Sequence, residues 1–429
     1  MNGNFWKLKE SKDQMRAMLL EGFSSFWHRD TGVLREELAN IDRAKNSPHA
    51  VIISGLRRAG KSTLLAQMAH RLGEDAFYYL NFEDDRLINF RAKDFNDLYQ
   101  VLVELFGERK IFFIDEIQNI SGWEHFVRRF MDMGFKFYIT GSNASLLSKE
   151  LGTRLTGRYI PIELFPFSFK EFLKFRGEKS PKPREMVTVD KARLEKNLSE
   201  YLQLGGIPDS LKYPDLPILR TLYNDVIYRD IATRYGLNNI SVLKELASYL
   251  MSNTANLFSY NKLKKQFGLG SVTTIKNYID YMENSWLLFR MNVYDYSLKR
   301  QQIAPKKIYS IDTGMSNTIG FSFSPNRGKN LENLIFLALR RKNREIYYLT
   351  SPKGYEIDFY LPEKETIIQV AENMATPRTK ARELRAIEDI LTDKNIQKAF
   401  ILSDANQNPI EINGVSVEIL STAEWLLER

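Results

Sequence analysis

Residues 51–63 read VIISGLRRAGKST, an apolar run followed by two glycines, a lysine and two hydroxyl residues. The spacing of Gly55, Gly60, Lys61 and Ser62 is typical of a loop whose backbone N–H groups bind the phosphates of a nucleoside triphosphate. In such a loop the lysine neutralises the outer phosphates, and the next hydroxyl binds Mg²⁺. The residues predicted to contact the nucleotide are Gly55, Leu56, Arg57, Arg58, Ala59, Gly60, Lys61, Ser62 and Thr63.

A second group of residues able to do chemistry comes immediately after the apolar run 111–114. Asp115 and Glu116 follow it directly, so they lie at the carboxyl end of a predicted strand, where open α/β sheets bind ligands. We expect Asp115 to hold Mg²⁺ together with Ser62, and Glu116 to polarise the attacking water. The alternative interpretation is a solvated strand end, which the preceding phosphate-binding loop makes less favoured.

Polar residues also end the next predicted strand, at Ser142 and Asn143. Either side chain there can align a water and contact the γ-phosphate, although an ordinary turn explains them too. Arg154 and Arg158 precede a fifth strand, and an arginine there can stabilise transition-state charge on a neighbouring subunit. Two plain surface arginines are the alternative, and the sequence does not say which of them acts.

These residues need a sheet and helices to position them. Residues 51–54 read as a buried strand, and 63–72 as a helix with Leu64, Leu65 and Met68 on one face. Further strands are predicted at 76–82, 111–114, 137–140 and 159–164, with helices at 94–106 and 123–133 between them. Because strands that alternate with helices pair in parallel, the pattern predicts a three-layer α/β domain.

Composition limits the remaining options. The chain has 429 residues, enough for about three domains of ~150 residues. It has no cysteine and only 4 histidines, which excludes disulfides and thiolate metal sites and leaves little room for zinc. No apolar run is long enough for a membrane span and no signal core is evident, so we expect a cytoplasmic protein. The net charge of +8 favours a partner that carries phosphates.

Residues 241–300 differ in character from the first part of the chain. Helical patterns at 241–253 and 260–266, a helix capped by Ser271 and two apolar strands around 287–294 outline a winged helix. Between residues 259 and 300 there are seven Lys or Arg against three Asp or Glu. The candidate DNA contacts are Lys262, Lys264, Lys265, Thr273, Thr274, Lys276 and Asn277. A solvated basic face over an aromatic core is the alternative.

Several segments resemble one family over nearly the whole chain. The segments are FYYLNFEDDRL (77–87), IFFIDEIQNISGWEHFVRRF (111–130), the region 137–173, LGGIPD (204–209), KKIYSIDTG (306–314) and GKNLENLIFLALRR (328–341). They resemble the prokaryotic AAA+-like ATPases that pair a P-loop domain with a C-terminal domain of unknown function. The resemblance implies an ASCE-type core that hydrolyses ATP, a winged helix and a nuclease-like terminal fold.

The C-terminal part is similar in layout to PD-(D/E)xK nucleases. Glu332 on a helix, then Glu356 and Asp358 in a hairpin, precede an apolar strand, as in those enzymes. Two acids there hold Mg²⁺, and a lysine two residues after the last acid activates water. This chain has Gln369 and Ala371 at those two positions. We therefore expect a degenerate nuclease site, comprising Glu332, Glu356, Asp358 and Gln369, that does not cleave.

The predicted fold class is α/β: a P-loop ASCE/AAA+ three-layer parallel-sheet core, followed by a winged-helix domain and a PD-(D/E)xK-like α/β domain. The predicted parts are an N-terminal helical segment (1–40), the ATPase core (41–175), a helical lid or linker (176–240), the winged helix (241–300) and the nuclease-like domain (301–429).

The predicted function is that of an oligomeric ATPase, with a hexamer as one option, that uses ATP and Mg²⁺. We expect it to bind duplex or branched DNA, to be stimulated by it, and to remodel or translocate on it. A signalling-type NTPase switch acting through protein partners and an ATP-gated nuclease are the alternatives.

Overall fold

The structure is a computed structural model that describes residues 2–147, 155–178, 186–321, 326–351, 353–374, 376–393 and 396–428. It divides into two compact units, Met1–Leu164 and Phe165–Arg429. None of the helices within these ranges has the length and apolar character needed to cross a membrane.

The first unit is built on five parallel strands. In chain order they are β1 (Ala50–Ser54), β2 (Phe77–Asn81), β3 (Ile111–Asp115), β4 (Lys136–Gly141) and β5 (Tyr159–Glu163). Their order across the sheet is β2-β3-β4-β1-β5, and every neighbouring pair is parallel. The predicted parallel α/β core is therefore confirmed. Because the strands are parallel, the carboxyl ends of β1, β3 and β4 lie on one edge of the sheet.

Helices cover both faces of this sheet. They are α1 (Asn2–Trp27), α2 (Leu38–Ala44), α3 (Lys61–Leu72), α4 (Phe95–Phe106) and α5 (Trp123–Asp132). Successive strand residues point to opposite faces. Phe112 accordingly packs under α4 and α5, with Phe126 at 5.7 Å between ring centroids. Phe113 packs on the other side with α1, α2 and α3, where Phe26 stacks on Tyr79 at 3.8 Å.

The second unit begins with helices and ends in mixed α/β structure. Its helices are α6 (Phe169–Phe175), α7 (Thr188–Leu204), α8 (Pro208–Lys212), α9 (Ile218–Asp225), α10 (Ile240–Ser252), α11 (Tyr260–Gln266), α12 (Val272–Asn284), α13 (Leu298–Ile303), α14 (Thr313–Ile319), α15 (Arg327–Arg340), α16 (Pro377–Asp393) and α17 (Thr422–Glu428). A π-helix, Val226–Thr233, continues α9.

One mixed sheet of nine strands organises this unit. The strands are β6 (Leu257–Phe258), β7 (Leu288–Val293), β8 (Lys306–Ser310), β9 (Tyr347–Thr350), β10 (Glu356–Leu361), β11 (Thr366–Val370), β12 (Lys398–Ser403), β13 (Gln407–Ile412) and β14 (Val415–Ser421). Their order is β13-β14-β12-β11-β10-β9-β7-β8-β6. The hairpin predicted to carry Glu356 and Asp358 is present as the antiparallel pair β9 and β10.

The prediction of two apolar strands around 287–294 was wrong. That run forms one strand, β7, which pairs antiparallel with β8 at 306–310, and α13 lies between them. The sequence concealed β8 because it begins with Lys306 and Lys307, which read as exposed residues. Both side chains are in fact buried.

Two of the segments that carry the family resemblance pack against each other. Asp312 is 3% exposed and accepts hydrogen bonds from the backbone N–H of Gly206 at 2.7 Å and of Met315 at 2.9 Å. Burial raises the pKa of Asp312 to about 6, although these N–H groups oppose the rise. A Cβ at Gly314 would lie 2.0 Å from the carbonyl oxygen of Leu204. LGGIPD and KKIYSIDTG therefore form one packed junction that positions β8.

Candidate active site at the carboxyl edge of the parallel sheet

The phosphate-binding loop joins β1 to α3. Arg58 and Gly60 adopt positive φ values of 59° and 94°, a conformation that turns successive backbone N–H groups to one side. A Cβ at Gly55 would lie 2.1 Å from the carbonyl oxygen of Leu164, so only glycine fits there. Leu56 and Ala59 are buried and anchor the loop. The local fold is therefore the strand, loop and helix that the sequence predicted.

Lys61 begins α3 and reaches back across the loop. Its Nζ donates to the carbonyl oxygens of Gly55 and Leu56, both at 3.2 Å, and lies 3.4 Å from Oε1 of Glu116. The side chain is 4% exposed. All three contacts are long for an ammonium group, and two of them go to neutral carbonyls. Phosphate oxygens can therefore replace them at little cost.

Asp115 lies at the end of β3 and is 3% exposed. Burial and the charge of Glu116 raise its pKa, while hydrogen bonds from Ser62 and Thr140 limit the rise. Tyr79 donates a further hydrogen bond to Asp115 Oδ2 at 3.4 Å. A carboxylate next to a hydroxyl, both on rigid elements, is the kind of oxygen pair that Mg²⁺ prefers. The structure thus brings the two predicted metal ligands, Ser62 and Asp115, together.

Glu116 follows with φ 53° and ψ 45°, the left-handed conformation, which turns its carboxylate towards Lys61. Its backbone N–H donates to Thr140 Oγ1 at 3.2 Å. Burial would raise the pKa of Glu116, but the charge of Lys61 and a hydrogen bond from Gln118 bring it below its usual value. The carboxylate is therefore ionised at neutral pH, as a group that polarises water must be.

The tip of β4 lies beside these groups. Ser142 is 1% exposed, and its Oγ accepts from Gln118 Nε2 at 3.3 Å. The same amide donates to Glu116 Oε2 at 2.5 Å, so one side chain joins the tips of β3 and β4. Asn143 is also buried, and its backbone carbonyl accepts from Ser54 Oγ at 2.8 Å. The polar tip predicted at 142 and 143 is part of the site.

Arg158, one of the two predicted arginines, is not found beside the other predicted site residues. Arg158 lies just before β5, at the amino edge of the sheet, and pairs with Asp132 at 2.6 Å. Lys61 follows the carboxyl end of the parallel strand β1. Arg158 and Lys61 therefore lie at opposite edges of the sheet, separated by the length of one strand, about 16 Å for five residues. Arg154 lies outside the described residues.

Sequence reasoning missed four residues that shape this site. Thr140 and Gln118 orient the two acids, while Arg35 and Gln67 fix the loop from behind. Arg35 Nη1 donates to the carbonyl oxygen of Ala59 at 2.6 Å, and Gln67 Oε1 accepts from Arg35 N–H at 3.2 Å. The sequence holds one signal for this group, since Gln118 lies two residues after the acid pair. Arg35 gives no such signal because it precedes the loop by 20 residues.

The candidate DNA contacts lie on α11 and α12. Lys262, Lys265, Thr273, Lys276 and Asn277 are exposed, and Lys264 and Thr274 are half-buried. The Nζ of Lys276 lies 5.4 Å from the ring centroid of Tyr260. Nearby, Arg290 binds the acids Asp280 and Glu283 at 2.8 and 2.6 Å. That pairing reduces the negative charge beside the basic face.

The predicted degenerate nuclease residues also converge, but around a residue that the sequence analysis did not select. Lys307 of β8 lies between Glu332, Glu356 and Asp358. Gln369 is adjacent: its Oε1 accepts from the backbone N–H of Asp358 at 3.1 Å. In the described parts of the chain, no three or more His, Cys, Asp or Glu side chains are arranged to hold a metal ion.

Comparisons with known proteins agree with the fold of the first unit. A family profile for an AAA domain matches residues 47–173, and one for a domain of unknown function, DUF8612, matches 195–325. The chain is 36% identical over 395 residues to the uncharacterized protein MJ1544 of Methanocaldococcus jannaschii, covering 88% of each chain. It is 30% identical over 406 residues to an uncharacterized protein of Haemophilus influenzae, covering 91% of this chain and 97% of the relative.

Among solved structures, the chain resembles the Aeropyrum pernix ORC1 protein in complex with DNA. The identity is 13% and the TM-score 0.32, over 69% of this chain and 95% of that chain. That likeness is too low to support an inference about function. The relatives and the AAA profile support a firmer conclusion: this chain belongs to the family of MJ1544 and the Haemophilus protein, and it carries the P-loop domain of the AAA+-like ATPases.

Proposed function

We propose that this protein is a Mg²⁺-dependent ATPase whose reaction takes place at Lys61, Ser62, Asp115 and Glu116. The observation that carries the proposal is that these four side chains lie together beside the phosphate-binding loop. The conformation of that loop requires a glycine at residue 55. Lys61 would bind the outer phosphates, and Ser62 and Asp115 would hold Mg²⁺, which neutralises charge on the phosphates when bound. Glu116 would orient the attacking water and accept its proton.

Turnover and nucleotide binding, measured together, test this proposal. In the Lys61→Ala variant we expect ATP binding to weaken and hydrolysis to fall to background. The matched control is Lys93→Ala, which removes an exposed lysine of the same unit. Parental turnover in Lys61→Ala, or equal losses in both variants, would contradict the assignment.

We further propose that residues 240–310 form a winged helix, which extends the predicted boundary of 300 to include β8. Three helices, α10, α11 and α12, are followed by the antiparallel pair β7 and β8, and the short strand β6 pairs with β8. That order of elements supports the proposal. The other predicted boundaries, at 40, 175 and 240, remain proposals as well.

DNA is the partner that this region fits best. The side chains of Thr273, Lys276 and Asn277 are exposed along one side of α12, and Lys262 and Lys265 extend the basic surface on α11. Threonine and asparagine can hydrogen-bond base edges, and lysines can bind phosphates. We propose that duplex or branched DNA bound here stimulates ATP turnover.

The DNA proposal is tested by measuring turnover with no DNA, single strand, duplex and four-way junction at two salt concentrations. We expect stimulation that decreases steeply with salt, because phosphate contacts release counterions. Lys276→Ala should reduce the slope of log K against log[salt] by about 0.9, while Lys196→Ala, on α7, should leave it unchanged. Turnover indifferent to every DNA would favour the alternative of a nucleotide switch that acts through protein partners.

Self-association is the last part of the proposal. Arg158 precedes β5 at the amino edge of the sheet, so it would act on the nucleotide of a neighbouring copy. An Arg158→Ala variant should then lose about 10³-fold in turnover and retain nucleotide binding. The control is Asp132→Ala, which removes only its ion-pair partner. An unchanged rate in Arg158→Ala would remove Arg158 from the mechanism.

A further inference from the structure

The second unit contains a buried cluster of one lysine and three carboxylates, here called the Lys307 cluster. The Nζ of Lys307 lies 2.7 Å from Glu332 Oε1, 2.7 Å from Glu356 Oε1 and 2.9 Å from Asp358 Oδ1. The lysine side chain is 1% exposed, those of Glu332 and Asp358 are below 10%, and that of Glu356 is 34% exposed. The cluster is therefore reached from solvent through Glu356.

All three N–H donors of the Lys307 ammonium group have a partner in this cluster. A lysine has three N–H donors and no acceptor, and here three carboxylate oxygens lie at hydrogen-bonding distance. Burial alone would lower the pKa of Lys307, but the charges of Asp358, Glu332 and Glu356 hold it well above its usual value. A permanently charged and saturated ammonium can neither accept a proton from water nor bind a further ligand.

Fixed partners orient the carboxylates. Asp358 Oδ2 accepts from the backbone N–H of Val370 at 2.9 Å, and Glu332 Oε1 accepts from the hydroxyl of Tyr309 at 2.9 Å. Lys329 lies 3.5 Å from Glu332 Oε2 and also donates to a backbone carbonyl. The carboxylates therefore approach Lys307 of β8 from two other elements, Glu332 from α15 and Glu356 and Asp358 from β10.

Negative charge remains in excess in the cluster. Three carboxylates surround one ammonium, and the only other cation near Glu332 among the described contacts is the half-buried Lys329. Burial, together with the charge of Asp358, raises the pKa of Glu332 to about 7. A divalent ion would supply one positive charge more than the ammonium does. Oxygen ligands also have to approach Mg²⁺ at ~2.1 Å or Ca²⁺ at ~2.4 Å, which is ~0.3 to ~0.8 Å shorter than their distances to the Lys307 nitrogen.

We propose that the ammonium group of Lys307 is the resident cation of this cluster, and that a divalent ion could take its position only in a chain that lacks the Lys307 side chain. The native protein then has a closed cation site, in which one side chain performs the structural role of a metal. The proposal is independent of ATP hydrolysis, and it assigns Lys307 a role that the loss of acid and lysine at Gln369 and Ala371 did not reveal.

The test compares thermal unfolding of the full chain in EDTA with unfolding in Mg²⁺, Ca²⁺ or Mn²⁺. We expect Lys307→Met to lower the Tm by about 10 °C in EDTA, because it leaves buried carboxylates without their cation. Millimolar divalent ion should restore about 5 °C of that loss or more. The native protein should show no such shift at this cluster.

Lys306 provides a matched control within the same strand. It is also buried, but it faces the other side of β8 and donates to the carbonyl oxygen of Gln301. A Lys306→Met variant should therefore lose stability without gaining any response to divalent ions. A metal-dependent shift equal to that of Lys307→Met would overturn the proposal.

A double variant keeps the proposal falsifiable if Lys307→Met does not fold in EDTA. Lys307→Met with Asp358→Asn removes one negative charge together with the cation, so it should fold and ignore divalent ions. If Lys307→Met stays insoluble in the presence of each divalent ion while the double variant folds, a metal ion cannot replace the ammonium group and the proposal is overturned. Mn²⁺-dependent DNA cleavage by the native protein, lost in Asp358→Asn, would overturn it as well, because the native site would then hold a metal.

Discussion

Two buried lysines, each beside carboxylates, have opposite environments in this protein. Lys61 makes three contacts of 3.2 to 3.4 Å, two of them to neutral backbone carbonyls of its own loop. Lys307 makes three contacts of 2.7 to 2.9 Å, all to carboxylates. The first ammonium is held weakly enough to transfer to a ligand, and the second is saturated. Burial and an acidic neighbour therefore do not by themselves identify a reactive lysine.

The largest expected effect separates the two lysines by activity. Lys61→Met should lower ATP turnover by at least about 10³-fold, since the charge on the transferred phosphoryl group loses its main protein cation. Lys307→Met should stay within about twofold of the parental rate at a temperature where it is folded, because the ammonium of Lys307 contacts groups of the second unit. Steady-state rates per folded protein check both values. A comparable loss in Lys307→Met would break the comparison.

The two variants should rank in the opposite order when thermal stability is measured, with the larger loss in Lys307→Met. Lys307→Met should lower the Tm by about 10 °C, whereas Lys61→Met should lower it by less than half of that, because it leaves one carboxylate instead of three without its cation, and its other contacts are to neutral carbonyls. Calorimetry of both variants in EDTA decides the point. If Lys61→Met proves the less stable of the two, Lys61 has a structural role that its contact distances do not explain.

A smaller effect is expected at Gln118, which joins Glu116 to Ser142. Gln118→Ala should reduce kcat by about tenfold and leave KM unchanged, because the carboxylate loses its orientation while the phosphate contacts remain. Asn119→Ala is the matched control, since that side chain donates to the carbonyl oxygen of Phe82 at 3.0 Å and not to Glu116 or Ser142. A rise in KM at constant kcat would show that Gln118 acts on binding instead.

The smallest expected effect is a change of stability with pH. Its direction should be opposite for Glu332 in the Lys307 cluster and for Glu116 in the candidate active site. The pKa of Glu332 is raised to about 7 in the folded protein, so its contribution to stability is present below pH 4.5 and lost as the pH rises towards 7. The pKa of Glu116 is lowered, so its contribution is present above pH 4.5 and lost on acidification.

The matching variants report those two signs. Relative to the parent, Glu332→Gln should gain Tm as the pH rises from 4.5 to 7. Glu116→Gln should regain Tm as the pH falls below 4.5. Unfolding measured across this pH range gives both slopes. Slopes of the same sign would mean that the two carboxylates do not differ in environment as described.

The first unit was predictable from the sequence because its signals are local. Asp115 and Glu116 end one apolar strand run, Ser142 and Asn143 end another, and the phosphate-binding loop follows a third; parallel pairing brings these run ends to one edge. The parallel core was confirmed, while the roles of Lys61, Asp115 and Glu116 remain predictions. Thr140 was missed because a threonine within a strand carries no sign of the acid that it contacts.

The second unit was less predictable because its contacts are distant in the chain. Lys307 is 25 residues from Glu332 and 51 from Asp358. Nothing in the dipeptide Lys306–Lys307 distinguishes a buried strand from a solvated one, so both strands were predicted around 287–294 and β8 was not predicted. The lysine expected at residue 371 is absent, and another strand supplies one.

The most direct test of the account is a single-turnover measurement on Glu116→Gln loaded with ATP and Mg²⁺. The glutamine keeps the shape of the side chain but cannot accept a proton. We predict that the variant binds ATP with parental affinity and hydrolyses it at least about 10²-fold more slowly, while Glu108→Gln, an exposed acid before β3, behaves as the parent. Hydrolysis by Glu116→Gln at the parental rate would contradict the assignment of this site.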